Sequence, residues 1–464
     1  MQVAIVLAAL ALLMFVAYRG VSVVFFAPIV ALLAVLCTDI GAALPVHSGI
    51  FMERMVGFVK LYFPVILLGA IFGKLMELSG FASSIIRAVL AVVGPAYAIA
   101  SIVLVCALLT YGGVSLFVVA FAVYPFAAEL FRASNVPKRL LPATIALGAF
   151  TFTMDAIPGS PQVQNLIPTT FFHTTAWAAP KLGIIGAAVL CGSGLLYLEW
   201  RRRVAARKGE GYGEDHLNEP EPPDGRARHT SAWLAAVPLV LVGTLNLWFT
   251  RVLPGHFGQT FDFQAAGISA SKLDTQPFRA LWPIECALAI AILFVVPWCF
   301  SRGAQALRVA INTATAGAAL AVLNVASEYG FGAVIATLPG FLIVSHSVTS
   351  ATENPLLNVA VTSNILAGIT GSASGGMSIA LGAMSDLFVK QAAAAGVPLE
   401  VVHRVASMAS GGMDTLPHNG AIITLLSIAG LTHRTAYRDI FALTFLKVAT
   451  AFLIIGLYTA FHII

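Results

Sequence analysis

The sequence predicts an all-α polytopic membrane protein built from two inverted repeats, on three observations. Charge is scarce, apolar stretches of spanning length recur along the chain, and one set of interruptions occurs twice. Of 464 residues, 59% are hydrophobic and 10% are charged. A soluble domain carries about 25% charged residues, so most of this surface faces lipid. The length accommodates roughly 11–12 crossings of ~20 residues joined by short loops. The formal charge of +5 is not a nucleic-acid signal, because the basic residues gather at helix ends, as cytoplasmic loops require. Cys37, Cys106, Cys191, Cys286 and Cys299 are scattered, with no CxxC or metal spacing, and read as apolar filler.

Spans are expected at 3–18, 20–38, 58–78, 139–172, 181–199, 232–250, 280–300, 304–326, 403–431 and 437–463. The run from Val3 to Val16 lacks a charged leader and a small-residue cleavage site, so it reads as a first span. The stretches 84–133, 331–347 and 355–393 fit less simply. Between Arg201 and Ser231 lies a polar segment that opens with Arg201, Arg202, Arg203, Arg207 and Lys208 and turns acidic and Pro-rich. It reads as a solvated cytoplasmic linker, 200–231, between a first repeat, 1–199, and a second, 232–464. A second polar loop, Arg251 to Phe278, belongs on the other side.

Arg19, Arg87, Arg132, Lys138, Arg139 and Arg201 to Arg203 fit one cytoplasmic face with both termini outside, provided that 84–133 enters and leaves on the same side. That stretch therefore reads as a re-entrant hairpin with Tyr111-Gly112-Gly113 at its tip. Non-helical backbone at membrane depth is allowed where it is buried or lines a cavity.

The repeat rests on four matches in one order. Glu77-Leu-Ser-Gly-Phe81 resembles Glu328-Tyr-Gly-Phe331, and Gly112-Gly113-Val114-Ser115 matches Gly375-Gly376-Met377-Ser378. Asn135-Val136-Pro137 matches Gly396-Val397-Pro398, and Met154-Asp155-Ala-Ile-Pro158 matches Met413-Asp414-Thr-Leu-Pro417. The offsets run from 251 to 263 residues. The second half then carries a hairpin near 352–394 and a broken helix at 403–431, as the first carries 84–133 and 139–172.

Each motif has a physical reason. Asp155, Pro158, Gly159, Ser160, Pro161, Gln162, Gln164, Asn165 and Pro168 cannot share one continuous helix, because proline removes a backbone donor and clashes with the preceding turn. A broken helix exposes free N–H groups at one half and free carbonyls at the other, and the N–H end suits an anion. The second break offers Asp414, Thr415, Pro417, His418 and Asn419. At the hairpin tips, Gly112, Gly113 and Ser115, and Ser372, Ser374, Gly375, Gly376 and Ser378, combine close backbone approach with hydroxyl donors. The bland alternatives are a packed kink, a satisfied core histidine and small-residue helix packing.

Substrate-binding candidates are therefore Gly112, Gly113, Ser115, Ser160, Gln162, Asn165, Ser372, Ser374, Gly375, Gly376, Ser378, Thr415, His418 and Asn419. Intramembrane acids are costly and functional by default, which selects Asp155 and Asp414 for proton coupling. Glu77, Glu328 and Glu353 are lesser candidates, and Asp386 has Lys390 four residues on as a helix-face partner. No arginine or lysine falls within the breaks or tips, so an anion there must be met by dipoles, a proton or a bound cation.

The Gly-Gly-hydrophobic-Ser tip at 112–115, Asn135-Val136-Pro137, the break from Pro158 to Pro168 and the tip at 371–378 together resemble the gluconate permease family of the ion transporter superfamily. The resemblance covers nearly the whole chain. It implies a scaffold, a moving hairpin-bearing domain, and proton symport of sugar acids or small hydroxy acids such as gluconate or 3-hydroxybutyrate. Here the break reads Asp-Ala-Ile-Pro-Gly-Ser-Pro in place of a His-Gly, Pro-His-Pro-rich version, which favours another small carboxylate over gluconate. The expectation is a multi-pass transporter of the bacterial inner membrane, with a homodimer as the candidate assembly, no metal or cofactor, and H+ as coupling ion. Na+ coupling through unwound carbonyls is the alternative. An intramembrane enzyme and a passive channel rank lower: no HExxH, GxSxG or P-loop is present, and an enzyme has no need of one break twice.

Overall fold

The computed structural model describes residues 2–19, 22–94, 97–114, 116–214, 216–219, 230–341, 343, 354–417 and 419–464. It is all-α apart from one two-residue antiparallel pairing, Thr260–Phe261 with Leu273–Asp274, in the polar loop near 251–278. The chain opens with α1 (Gln2–Tyr18) and α2 (Val23–Leu36), then the long α3 (Ile40–Leu78), which contains a π-type turn at His47–Met52. At 39 residues, α3 is longer than the ~20 that a bilayer core requires.

Next come α4 (Phe81–Val93), the hairpin α5 (Ala98–Tyr111) and α6 (Leu116–Ala133), and a helix broken into α7 (Leu141–Ala149), a single turn at Phe152–Asp155, and α8 (Val163–Phe172). The half closes with α9 (Pro180–Arg207). The second half brings α10 (Ala232–Phe257), α11 (Trp282–Phe300) and α12 (Ala304–Thr337). A hairpin follows, α13 (Pro355–Thr370) and α14 (Ala373–Ala394). Then come the broken α15 (Leu399–Gly411), a turn at Gly412–Thr415, α16 (Gly420–Ala429), and the closing α17 (His433–Phe461).

The two halves repeat this order down to backbone angles. After each hairpin the chain turns at a left-handed residue, Asn135 (φ 49°) or Gly396 (φ 64°), and each second half-helix ends at another, His173 (φ 53°) or Gly430 (φ 63°). Among the described residues, six helices are long and apolar enough to cross a membrane alone: α3, α9, α10, α11, α12 and α17. The remaining apolar helices are shorter, because the hairpins and breaks divide what the sequence offers as single spans.

Two boundaries differ from the sequence reading. The stretch 84–133 is not one hairpin: Gly94, at φ 80°, ends the separate helix α4, which buries Phe81, Ala82, Ile85 and Ile86 at helical spacing, and the hairpin starts at Ala98. The linker is also less solvated than its composition implies. α9 runs on to Arg207, and residues 210–214 and 216–219 dock on the hairpin side of the molecule.

That docked strap is held by specific contacts. Arg139 makes a two-pronged pair with Glu210, Nε–Oε1 2.5 Å and Nη2–Oε2 2.9 Å. Buried Lys138 donates to Leu217 O (2.9 Å) and to Glu219 Oε1 (2.7 Å), and Arg132 pairs with the same glutamate. Asn218 donates to Ser427 O (2.8 Å), while its own carbonyl accepts from Tyr124 Oη (2.8 Å). A Cβ on Gly430 would fall on Leu217 O, so glycine is required there for close approach as well as for its left-handed φ. The hydrogen bonds to Arg139 hold the Glu210 carboxyl below the usual carboxylate range.

Packing exchanges elements between halves. α3 and α12 lie along each other, α2 packs on α12, and α11 packs on α3. α8, from the first break, lies on α14 of the second hairpin, and its counterpart α16 lies on α6 of the first. Both breaks are thereby brought to the hairpin tips.

Candidate functional site

At the first break, six backbone carbonyls among the described residues, those of Phe150, Thr153, Asp155, Pro158, Gly159 and Ser160, accept from side chains. Lys447 Nζ donates to Phe150 O (2.9 Å), Ser160 Oγ to Thr153 O (2.6 Å), and Tyr111 Oη to Pro158 O (3.0 Å). Asn246 of α10 reaches Gly159 O (3.2 Å). Asp155 O accepts from Arg404 Nη1 (2.9 Å) and from Ser407 Oγ (3.0 Å). A buried carbonyl without a partner is costly, and here side chains from several helices replace the missing helical bonds.

Asp155 itself is buried, with its Oδ2 3.1 Å from Lys447 Nζ in an ion pair whose members are each 1% exposed. A Cβ on Gly411 would fall on that same carboxylate, so the acid is seated against α15. Asn165 is fixed on three sides: its amide donates to Ser160 O and Ala176 O, both 2.9 Å, and its Oδ1 accepts from Arg404 Nη1 (2.9 Å). Arg404, wholly buried, completes its bonding at Ala178 O. The expectation that no basic side chain meets the breaks therefore fails in space. Lys447 comes from α17 and Arg404 from α15, and both face the first break.

The second break is built differently. Asp414 Oδ1 accepts from the amide of Ala373, the first residue of α14, at 3.0 Å, and Oδ2 accepts from Gln164 Nε2 at 2.9 Å. Asp414 thus joins the second break, the second hairpin tip and the first broken helix. Asn419 caps α16 through Ala421 N (2.7 Å) and donates to Gly371 O of the tip (2.8 Å). Ser372 caps α14 by accepting from Gly375 N (3.1 Å), with Ser374 Oγ 3.3 Å away, and both serines are half-buried. A Cβ on Gly376 would meet the backbone of Ala367, so glycine there lets the two arms close at the tip.

Other candidates are engaged internally. Ser378 bonds Ser374 O (2.7 Å), and Thr415 Oγ1 lies 2.7 Å from Thr444 Oγ1. Gln162 donates to Thr110 O of the first tip (2.8 Å). Gly112 and Gly113 face Leu239 of α10 and Leu288 of α11. The first tip's glycines thus serve close packing. Ser115, His418 and Glu353 lie outside the described residues.

Glu77 and Glu328, paired in sequence, stand in unlike places. Glu77 meets Lys74 at 2.9 Å on an exposed helix end, whereas Glu328 is 6% exposed and lies against the second tip. Sequence reasoning passed over Arg404, Lys447 and Asn246. Their one signal was a polar or charged residue in a spanning stretch.

Broken helices meeting hairpin tips within a bundle of membrane-crossing helices define a multi-pass membrane transporter. The chain is 53% identical over 470 residues to a Bacillus subtilis (strain 168) protein called uncharacterized transporter YxjC, with 99% of each covered, and it belongs to that transporter family. It is also similar in fold to the crystal structure of the Alcanivorax borkumensis YdaH transporter, with a TM-score of 0.57 and 16% identity, over 89% of this chain and 88% of that one. No protein-family profile matches the chain.

Proposed function

We propose that this transporter imports a small organic (hydroxy)carboxylate, of the sugar-acid or 3-hydroxybutyrate class, by proton symport, with Asp414 as the proton-binding residue. The observation that carries this reading is the seat of Asp414 on the Ala373 amide at the start of α14. A helix N-terminus attracts anions, and here the protein's own carboxylate occupies it. An arriving substrate carboxylate competes for the same donors and meets like-charge repulsion in a low-dielectric site. A proton on Asp414 removes that repulsion and turns a strong acceptor into a weak one, which frees the tip for the substrate. The half-buried hydroxyls of Ser372 and Ser374 are at hand for its hydroxyl and carboxylate oxygens.

Asp155 is in a different position. Its charge is already matched by Lys447, so its role in this reading is to hold the first break together. Alternating access follows if the hairpin-bearing helices move against the α3–α12 pair, with the basic face around the 201–219 strap in the cytoplasm of a bacterial cell.

The test uses purified protein in liposomes on a current-recording solid support. Gluconate, 3-hydroxybutyrate, lactate and citrate are pulsed with and without an inward pH gradient in sodium-free buffer. A substrate-specific current that grows with the gradient is expected. A signal that requires sodium moves the coupling to Na+, and silence for every acid under both conditions removes the carboxylate assignment.

A further inference from the structure

We propose that Glu328 is a second proton-binding residue, whose protonation is required for the tip of the second hairpin to seat against α12. The proposal deepens the reading above and rests on geometry independent of any substrate. Glu328 is 6% exposed, and its Oε2 is buried with no hydrogen-bond partner among the described residues. A Cβ on Gly375 would fall on that same oxygen, so the carboxyl is pressed onto the tip backbone, within electrostatic reach of Asp414.

No basic side chain compensates it among the described residues. Lys447 is taken by Asp155, and Arg54 of α3 acts on the neighbouring Tyr329. Tyr62 of α3 is bonded to Ile167 O. α13 carries no ionisable side chain, and the Asp386 and Lys390 of α14 lie three turns beyond the tip. Asp414, the acid within electrostatic reach of Glu328, carries the same sign.

An ionised carboxylate in that seat has neither counterion nor donor for one oxygen, a costly arrangement, whereas the neutral acid fits. When the tip leaves α12, water reaches the carboxyl and the proton can depart. In the first half the scaffold helix α3 meets the tip with Gly69, 3.6 Å from Gly113 O to a Cβ built on it, so the acid that α12 presents has no counterpart at that position. Glu328 stands on the helix that the hairpin leaves, and Asp414 stands on the part that moves. The same proton-bound state that opens the Asp414 amides to substrate also lets the loaded tip close.

The test is a spin label at Ile369→Cys, at the end of α13, in full-length protein with the five native cysteines replaced. It is read in liposomes as collision accessibility to a water-soluble paramagnetic relaxant at varied pH. Accessibility is expected to fall several-fold on acidification with Glu328 present, and to be low and flat with pH in Glu328→Gln. Glu328→Asp, which keeps a titratable group, is expected to restore the pH dependence. An unchanged pH dependence in Glu328→Gln, or no pH dependence in the parent, overturns the proposal. No substrate enters this measurement, so its outcome is separate from that of the carboxylate reading.

Discussion

Gln162 and Asn419 occupy the same station in the two halves. Each stands immediately before a half-helix, α8 or α16, and each donates its side-chain amide at 2.8 Å to a hairpin-tip carbonyl, Thr110 O or Gly371 O. The link ties each tip to its break. Removing the Asn419 amide leaves Gly371 O without its donor, at about 1–3 kcal/mol, whereas Thr110 O keeps the Gly113 amide when Gln162 is lost, so the smaller effect is expected there. Gln162→Ala and Asn419→Ala are each expected to lower the unfolding temperature in detergent and to slow uptake. Unchanged uptake in both shows that the tips are positioned without these links.

The Asp155–Lys447 pair makes a sharper prediction. Lys447→Met leaves a buried carboxylate without its counterion, at about 3–5 kcal/mol. Thermal unfolding followed by fluorescence should show a large loss. Asp155→Asn combined with Lys447→Met should recover most of it, because no buried charge then remains. A double variant no more stable than Lys447→Met would mean that the lysine acts through Phe150 O alone.

Asn165 and Asp414 should part company under mutation. Asn165→Ala removes two donors and an acceptor from a closed network around Arg404, so reduced folded protein at the membrane is expected. Asp414→Asn keeps the shape and a carbonyl oxygen for the Ala373 amide, so expression should persist while proton-driven uptake is lost. Full uptake by Asp414→Asn in the current assay sinks the proton assignment at that residue.

The strap gives a pH prediction. Arg139 holds the Glu210 carboxyl below its ordinary range, so the stabilisation is present above the unfolded-state pKa of about 4.3 and is lost as pH falls through the folded value. Limited proteolysis between Lys208 and Ser231 should run at a constant rate from neutral pH down to that region and accelerate below it. Glu210→Gln should show the faster rate already at neutral pH.

The sequence announced the breaks more clearly than it announced what closes them. Pro158 and Pro161 enclosing Gly159-Ser160, and Pro417 before Asn419-Gly420, mark an interruption that a lone proline such as Pro64 inside α3 does not. The donors that satisfy those breaks come from far along the chain: Lys447 meets Phe150, and Arg404 meets Asn165. No local spacing encodes contacts of that kind. The start of the first hairpin was passed over for another reason: hydrophobicity continues on both sides of Gly94-Pro95, and that turn signal, where Gly94 takes a positive φ, is the one mark of the end of α4. The offset that paired Glu77 with Glu328 matched letters, whereas in space Glu328 corresponds to Gly69, each facing its own tip.

Among the described residues, every ion pair joining different segments, apart from Lys272–Asp262 in the 251–278 loop, lies within the group formed by the hairpins, the breaks, α9, α17 and the strap. Asp439 alone gathers Arg139, Arg201 and Tyr197 onto one carboxylate. Among the described residues the boundary with α3, α10 and α12 has no such pair and is bridged by neutral contacts, such as Tyr62 of α3 to Ile167 O and Asn246 of α10 to Gly159 O. If the two groups slide past one another in the transport cycle proposed above, no ion pair among the described residues has to be broken on the way. Ionic strength should then leave the turnover rate almost untouched, while bulky substitutions along that greased seam should slow it.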